Sequence, residues 1–196
     1  MGQIDQGSLS QALGICSIDK NEAYMKLSMI TCPVTGTIGG YTVTKETTMK
    51  QIDTAQLDIT ACQAQAAEYH ARGFNCAQAV ACTFAPAVGL DPQTAFTLTE
   101  GFGAGMGGMT ETCGAISGAV AIMGFVMSDG MENPKTKGQT YKLSREIAKR
   151  FGEKNTTTVC GTLKGIGSDK GPLRSCPGCI DDAVEIACDV LKQLAE

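Results

Sequence analysis

The sequence contains no tryptophan, a single histidine and only 5% aromatic residues. The core of this 196-residue chain must therefore be built from Ala, Ile, Val, Leu and Met rather than from large rings. Charge is sparse and leans acidic, with 16 Lys plus Arg against 20 Asp plus Glu, a net charge of −4 and a pI near 5.1. That balance argues against a nucleic-acid binder working by counterion release. No G-x-x-x-x-G-K-[ST] string is present, so a P-loop is not supported. The one candidate for a membrane span, residues 112–128, is at the lower length limit and contains Gly114, Ser117, Gly118 and Gly124. It reads as a buried central helix, and no membrane insertion is expected. Residues 1–17 carry acidic Asp5 and no basic start, which does not suit a secretory signal, and Gln6 stands where myristoylation needs Ser or Thr. A cytoplasmic, reducing setting is the expectation.

Against these absences stand 24 glycines and 10 cysteines. The cysteines are too dilute for a disulfide scaffold, and in a reducing compartment they point to catalysis, redox sensing or metal ligation rather than to structural staples.

The length suits one domain with an appendage. Residues 1–50 are dense in Ser, Thr and Gly, show no helical period, and contain a weak hairpin signal at residues 34–44 around Gly39 and Gly40. They read as a weakly structured or disordered N-terminal extension, with a helical cysteine-rich redox domain over residues 51–196. Beyond residue 54 the pattern is helical. Ile59, Cys62, Ala66 and Tyr69 make one apolar stripe ending near Gly73. Asn75 then caps a helix carrying Cys76, Ala79, Val80 and Phe84 that is predicted to stop around Gly89. Asp91 and Pro92 open a short helix toward Glu100, followed by a flexible glycine loop at residues 101–108.

The segment 112–128 is predicted as a long helix closed by Asp129 and Gly130. Asn133 and Pro134 start a polar helix with Leu143, Ile147 and Phe151 on its inner face and an end near Gly152. A short helix follows at residues 159–163. In the last helix Ile180, Ala183, Val184, Ala187, Leu191 and Leu194 face inward, while Asp181, Asp182, Glu185 and Lys192 are expected to face solvent. The fold class is therefore all-α, a compact single-domain helical bundle with glycine-rich loops. The glycines Gly103, Gly105 and Gly108 satisfy G-x-G-x-x-G, but a dinucleotide site would need a preceding strand and βαβ units that the pattern lacks.

Four cysteines, Cys76, Cys113, Cys160 and Cys176, each fall in a predicted first helical turn. Free backbone N–H groups and the positive end of the helix dipole stabilise a thiolate there, the form that attacks disulfides and binds metal. Cys179 shares the inner stripe of the last helix with Cys176, and together they make a CxxC. Gly114 and Gly118 stand one turn apart beside Cys113, so another backbone can approach closely. Cys62, Cys82 and Cys188 read as buried hydrophobes, Met106, Met109, Met123 and Met127 as core fillers, and His70 as a helix C-terminal residue rather than a ligand. Cys16 and Cys32 belong to the extension.

The strings GFNCAQAV at residues 73–80, GFGAGMG at 101–107, CGAISG at 113–118, CGTL at 160–163 and CPGCIDDA at 176–183 together resemble the C-GCAxxG-C-C family of redox-active proteins. The resemblance runs over about residues 64–194. It implies a small helical protein with redox-active or cluster-binding cysteines, the four family positions being Cys76, Cys113, Cys160 and Cys176. Cys179 departs from the family pattern, which commonly has an apolar residue there, and leaves open which of Cys176 and Cys179 is the fourth thiol.

Three chemistries are compatible with these residues. Four thiolates suit an iron–sulfur cluster serving electron transfer, with Cys76, Cys113, Cys160 and Cys176 as metal ligands and the loop around Gly103 and Gly105 giving N–H bonds to its sulfurs. Without metal the same thiols suit thiol–disulfide exchange, with Cys113 or Cys76 attacking and Cys160, Cys176 or Cys179 resolving. A structural zinc site with four cysteine ligands is the third, although the chain has one close cysteine pair where the usual knuckle has two. The partner expected is a redox protein, a small-molecule thiol or an electron donor, and a homodimer is left open.

Overall fold

The computed structural model describes residues 50–196, together with the backbone pairing of two short strands, β1 (Thr37–Ile38) and β2 (Tyr41–Thr42), in an antiparallel hairpin. The expected hairpin is therefore present. The expected weak structure of the remaining extension, with Cys16 and Cys32, lies outside the described residues. The chain divides into units Met1–Glu46 and Thr47–Glu196, and the second contains every thiol of the expected redox domain.

Among the described residues seven α-helices make up this second unit: α1 (Ile59–Ala71), α2 (Cys76–Phe84), α3 (Pro92–Thr99), α4 (Gly114–Met127), α5 (Lys137–Asn155), α6 (Cys160–Leu163) and α7 (Cys176–Ala195). The all-α expectation is met; the unit's only β pairing among the described residues is a single antiparallel bridge between Thr112 and Val159. Polar caps set most of the helix starts. Asp58 accepts from the Ala61 N–H at 2.8 Å, and Asp91 accepts from the Thr94 N–H at 2.8 Å. Asn75 and Gln78 form a capping box on α2.

α4 is the apolar centre, packed on α2, α5 and α7, while α1 lies on α7 and α2. Ala77, Ala79, Ala115, Ala119, Ala183 and Ala187 are fully buried, so the helices meet through small side chains. The closest approach is at Gly118, where a β-carbon would collide with the carbonyl oxygen of Ala77, and at Gly114, where it would stand 2.9 Å from the Phe102 oxygen. Those two glycines let the start of α2 lie against the start of α4.

Several sequence expectations need correction. α2 ends at Phe84 rather than near Gly89, because Pro86 removes an N–H and opens a separate 3-10 turn, Pro86–Val88. α5 begins at Lys137 rather than at Pro134, and it runs on to Asn155, where Thr156 at φ 73° ends it. The loop at residues 101–108 is no flexible tether: it forms a 3-10 turn, Glu100–Phe102, and a π turn, Gly105–Met109. Ala104, Met106 and Met109 take positive φ within it, a strained arrangement for residues with side chains. This turn carries Met106 and Met109 to the surface, at 51% and 39% exposure, whereas Met123 and Met127 fill the core as expected.

Asp182 is the clearest reversal. Helical patterning put it on the solvent face, yet it is 3% exposed. Arg174 donates to both of its oxygens, at 2.9 and 3.1 Å, and the Lys154 ammonium stands 3.1 Å away. Cations from two other segments thus make burial of the carboxylate tolerable.

Candidate thiol redox site

Cys76, Cys160 and Cys176 are the first residues of α2, α6 and α7, as expected of them, whereas Cys113 is the N-cap of α4, one residue ahead of its first turn. The Thr112–Val159 bridge draws two of these starts together. The Cys113 N–H donates to Thr158 at 2.8 Å, and the Cys160 N–H to Glu111 at 2.9 Å. The glycine turn closes over the same place: a β-carbon on Gly105, at φ 52°, would stand 2.6 Å from the Cys160 β-carbon. Gly103 packs against the side chain of Asn75, the residue before Cys76. The two glycines therefore shape the walls beside Cys160 and Cys76.

The thiols form one interacting group. Cys113 and Cys179 act on one another's ionisation, Cys176 and Cys113 act on Cys76, and Cys160 feels the charges of Cys113 and Cys176. Cys76, Cys113, Cys160 and Cys179 are buried, and Cys176 is partly open to solvent. All five are free thiols.

Sequence reasoning missed the cation at this site. The Lys164 Nζ lies 3.8 Å from the Cys179 Sγ and donates to the Arg174 carbonyl at 3.2 Å. It also interacts with Cys176 and acts on Cys113. Burial works against its charge, but the interaction with Cys176 and the charges of Cys179, Cys176 and Cys113 outweigh this and raise its pKa. The available signal was its spacing, four residues after Cys160 and hence on the same helical face.

These neighbours split the thiols. The influence of Cys179 pulls the Cys113 thiol down to about 6 against burial, helped by the N–H of Ala115, by Lys164 and by the N–H of Ile116. Cys179 is pushed up by that same interaction and by burial. The two sulfurs are thus driven apart in acidity, Cys113 toward the thiolate and Cys179 toward the thiol. Burial lifts Cys76 to about 12, with Cys176 and Cys113 adding to it, and burial also raises Cys160. A place at a helix start therefore does not by itself lower a thiol's pKa: Cys113 is lowered chiefly by Cys179, with the N–H groups of Ala115 and Ile116 assisting, whereas desolvation raises Cys76 and Cys160.

In number and softness the donors suit a thiolate-bound cluster. As placed they suit it less: among the described residues no three His, Cys, Asp or Glu side chains are gathered to hold a metal ion, and an ammonium stands within the thiol group. The remaining candidates lie elsewhere. Cys82 is buried against the Pro92 carbonyl, and the His70 Nδ1 is 2.9 Å from the Phe74 oxygen at the end of α1. The G-x-G-x-x-G string follows helix α3 rather than a strand.

The fold and the site define a helical protein with interacting thiols at its helix starts. Residues 74–190 match the model of the family described as "Putative redox-active protein (C_GCAxxG_C_C)", and the chain belongs to that family. The resemblance visible in the sequence strings is thereby borne out. No curated protein and no solved structure matches the chain. Among the described residues no helix is long and apolar enough to cross a membrane.

Proposed function

We propose that this family member is a thiol–disulfide redox protein whose working pair is Cys113 and Cys179. The observation that carries the reading is the Lys164 ammonium 3.8 Å from the Cys179 Sγ, beside a Cys113 thiol whose pKa Cys179 lowers more than any other group does. The Cys113 thiolate attacks one sulfur of an incoming disulfide, breaking its S–S bond and releasing a thiolate. That leaving group takes a proton, and Cys179 gives up its own proton. The Cys179 sulfur then attacks Cys113 and expels the second leaving thiolate. Two protein thiols are oxidised to one disulfide, and the incoming disulfide is reduced to two thiols. Cys176, which acts on both Cys76 and Lys164, is partly open to solvent.

A second reading has its own support. Cysteines at four separate helix starts, together with Cys179, influence one another's ionisation, which is more thiols than one disulfide needs. Cys76, Cys113, Cys160 and Cys176 would then hold an iron–sulfur cluster for one-electron transfer. The visible spectrum of anaerobically purified protein, before and after dithionite, separates the two. A colourless protein that gains a Cys113–Cys179 disulfide on equilibration with a dithiol buffer supports exchange. Broad sulfide-to-iron bands that bleach on reduction overturn it in favour of the cluster.

A further inference from the structure

Two cysteines outside this site also form a pair. Cys62 lies on the inner face of α1 and Cys188 on the inner face of α7, at 5% and 0% exposure, and these two helices pack together. Each thiol is the largest single influence on the ionisation of the other. Neither belongs to the group around Lys164, whose interacting thiols are Cys76, Cys113, Cys160, Cys176 and Cys179. The cover over Cys62 is thin. Its Sγ lies 3.3 Å from the Gln56 carbonyl oxygen, in the exposed single turn Thr54–Gln56 that precedes α1.

We propose that Cys62 and Cys188 are a second dithiol site, oxidised by small-molecule disulfides, whose bond clamps α1 to α7. In the exchange, the Cys62 sulfur loses its proton and attacks one sulfur of the incoming disulfide. The S–S bond breaks and the first small thiol leaves with that proton. Cys188 then loses its proton and attacks Cys62, and the second small thiol leaves with it. Two protein thiols are oxidised and one external disulfide is reduced.

The place of this pair in the chain gives the bond its consequence. Cys76, Cys113, Cys160, Cys176 and Cys179 all lie between positions 62 and 188, so the closed loop contains every thiol of the candidate site. A cross-link over so long a loop restricts the unfolded chain strongly, and here it also holds α7, whose first turn carries Cys176 and Cys179, against α1.

The test is peptide mapping without reduction. Full-length protein and the C113S/C179S variant are incubated anaerobically with oxidised glutathione, quenched in acid, alkylated under denaturing conditions and digested. The expected product in both is a cross-linked pair of peptides carrying Cys62 and Cys188, reversed by dithiothreitol. In the variant, a thermal midpoint that rises on oxidation and returns on reduction is expected as well. The proposal is overturned if Cys62 and Cys188 are alkylated as free thiols while oxidant reacts elsewhere, or carry only separate glutathione adducts. The wild-type map decides the matter if the variant fails to fold, and since the variant lacks Cys113 and Cys179 its result is independent of the function proposed above.

Discussion

The Lys164 Nζ lies 3.8 Å from the Cys179 Sγ, and the same ammonium donates to the Arg174 carbonyl at 3.2 Å. One side chain at the end of α6 thereby holds the segment entering α7 and supplies positive charge to the sulfurs of α4 and α7. A thiolate buried at 1% exposure needs such compensation, because burial alone raises a thiol's pKa.

Replacing Lys164 with Met should raise the Cys113 pKa by about one unit, the scale of losing one nearby opposite charge. The pH dependence of Cys113 alkylation, followed by mass spectrometry, reads this directly, and Lys164→Arg should restore most of the shift. An unchanged profile in Lys164→Met would remove Lys164 from the site's electrostatics.

Cys179→Ala should act more strongly, since the Cys179 thiol is the largest influence lowering Cys113. A rise of about two units is expected, together with loss of the Cys113 disulfide on oxidation. Cys160→Ala should leave that disulfide in place. If Cys113 still forms an intramolecular bond without Cys179, another thiol is its partner.

Thiol ionisation also predicts how stability varies with pH. The folded value of about 6 for Cys113 lies below an unfolded value of about 8.5. Its contribution is complete above pH ~8.5 and is lost as pH falls through 6. Cys76 at about 12 and Cys82 at about 11 have the opposite sign: their contribution is complete below pH ~8.5 and is lost as pH rises toward those values. Urea midpoints of reduced protein should therefore contain a limb rising from pH 6 to about 8.5 that Cys113→Ser removes, while the fall above it persists in that variant. A rising limb unaffected by the substitution would contradict the depressed value.

Much of this arrangement was legible because it is local. Asn75 before Cys76 announces a helix start and caps as read, and Ser175 caps the helix of Cys176 in the same way. The buried faces of α1 and α7 follow from spacing alone, down to Cys62, Ala66, Ala183 and Ala187. What escaped is long-range. Nothing near Cys113 in sequence specifies Cys179 as its partner, and helical patterning can only place Asp182 by its own neighbours. Arg174 and Lys154, which reverse that placement, come from the loop before α7 and from α5. The glycine turn was misread for a different reason: its shape depends on contact with Cys160 and Asn75, where Gly105 and Gly103 leave no room for a β-carbon.

The Gly118 contact carries a prediction of its own. A methyl group there meets the backbone of Ala77, which cannot rotate away as a side chain would. Gly118→Ala should destabilise the fold by about 1–3 kcal/mol, the usual range for overpacking a tight core. It should also disturb Cys76, whose neighbour Ala77 must move. Gly124→Ala, at a helical glycine with open space beside it, should instead be neutral or slightly stabilising. Urea unfolding of the two variants makes the comparison, and equal effects would refute the close approach of α2 and α4.

Asp182 offers the test of how the first turn of α7 is fixed. Its carboxylate is held below the usual range: burial works against its charge, but hydrogen bonds from Lys154, Arg174 and Asn155 outweigh it. Asp182→Asn keeps the shape and removes the charge, leaving Arg174 and Lys154 facing a neutral amide. Both cations are about 40% exposed and can turn to water, so the cost should stay near the ~1.5–3 kcal/mol of a charged hydrogen bond rather than reach that of a sealed ion pair. Because Arg174 also packs over Gly178, in the turn between Cys176 and Cys179, the loss should spread to the thiols. The variant is expected to unfold at lower urea and to alkylate Cys179 faster in the folded state. Lower stability with an unchanged Cys179 rate would show that Asp182 braces α7 without setting the position of its cysteines.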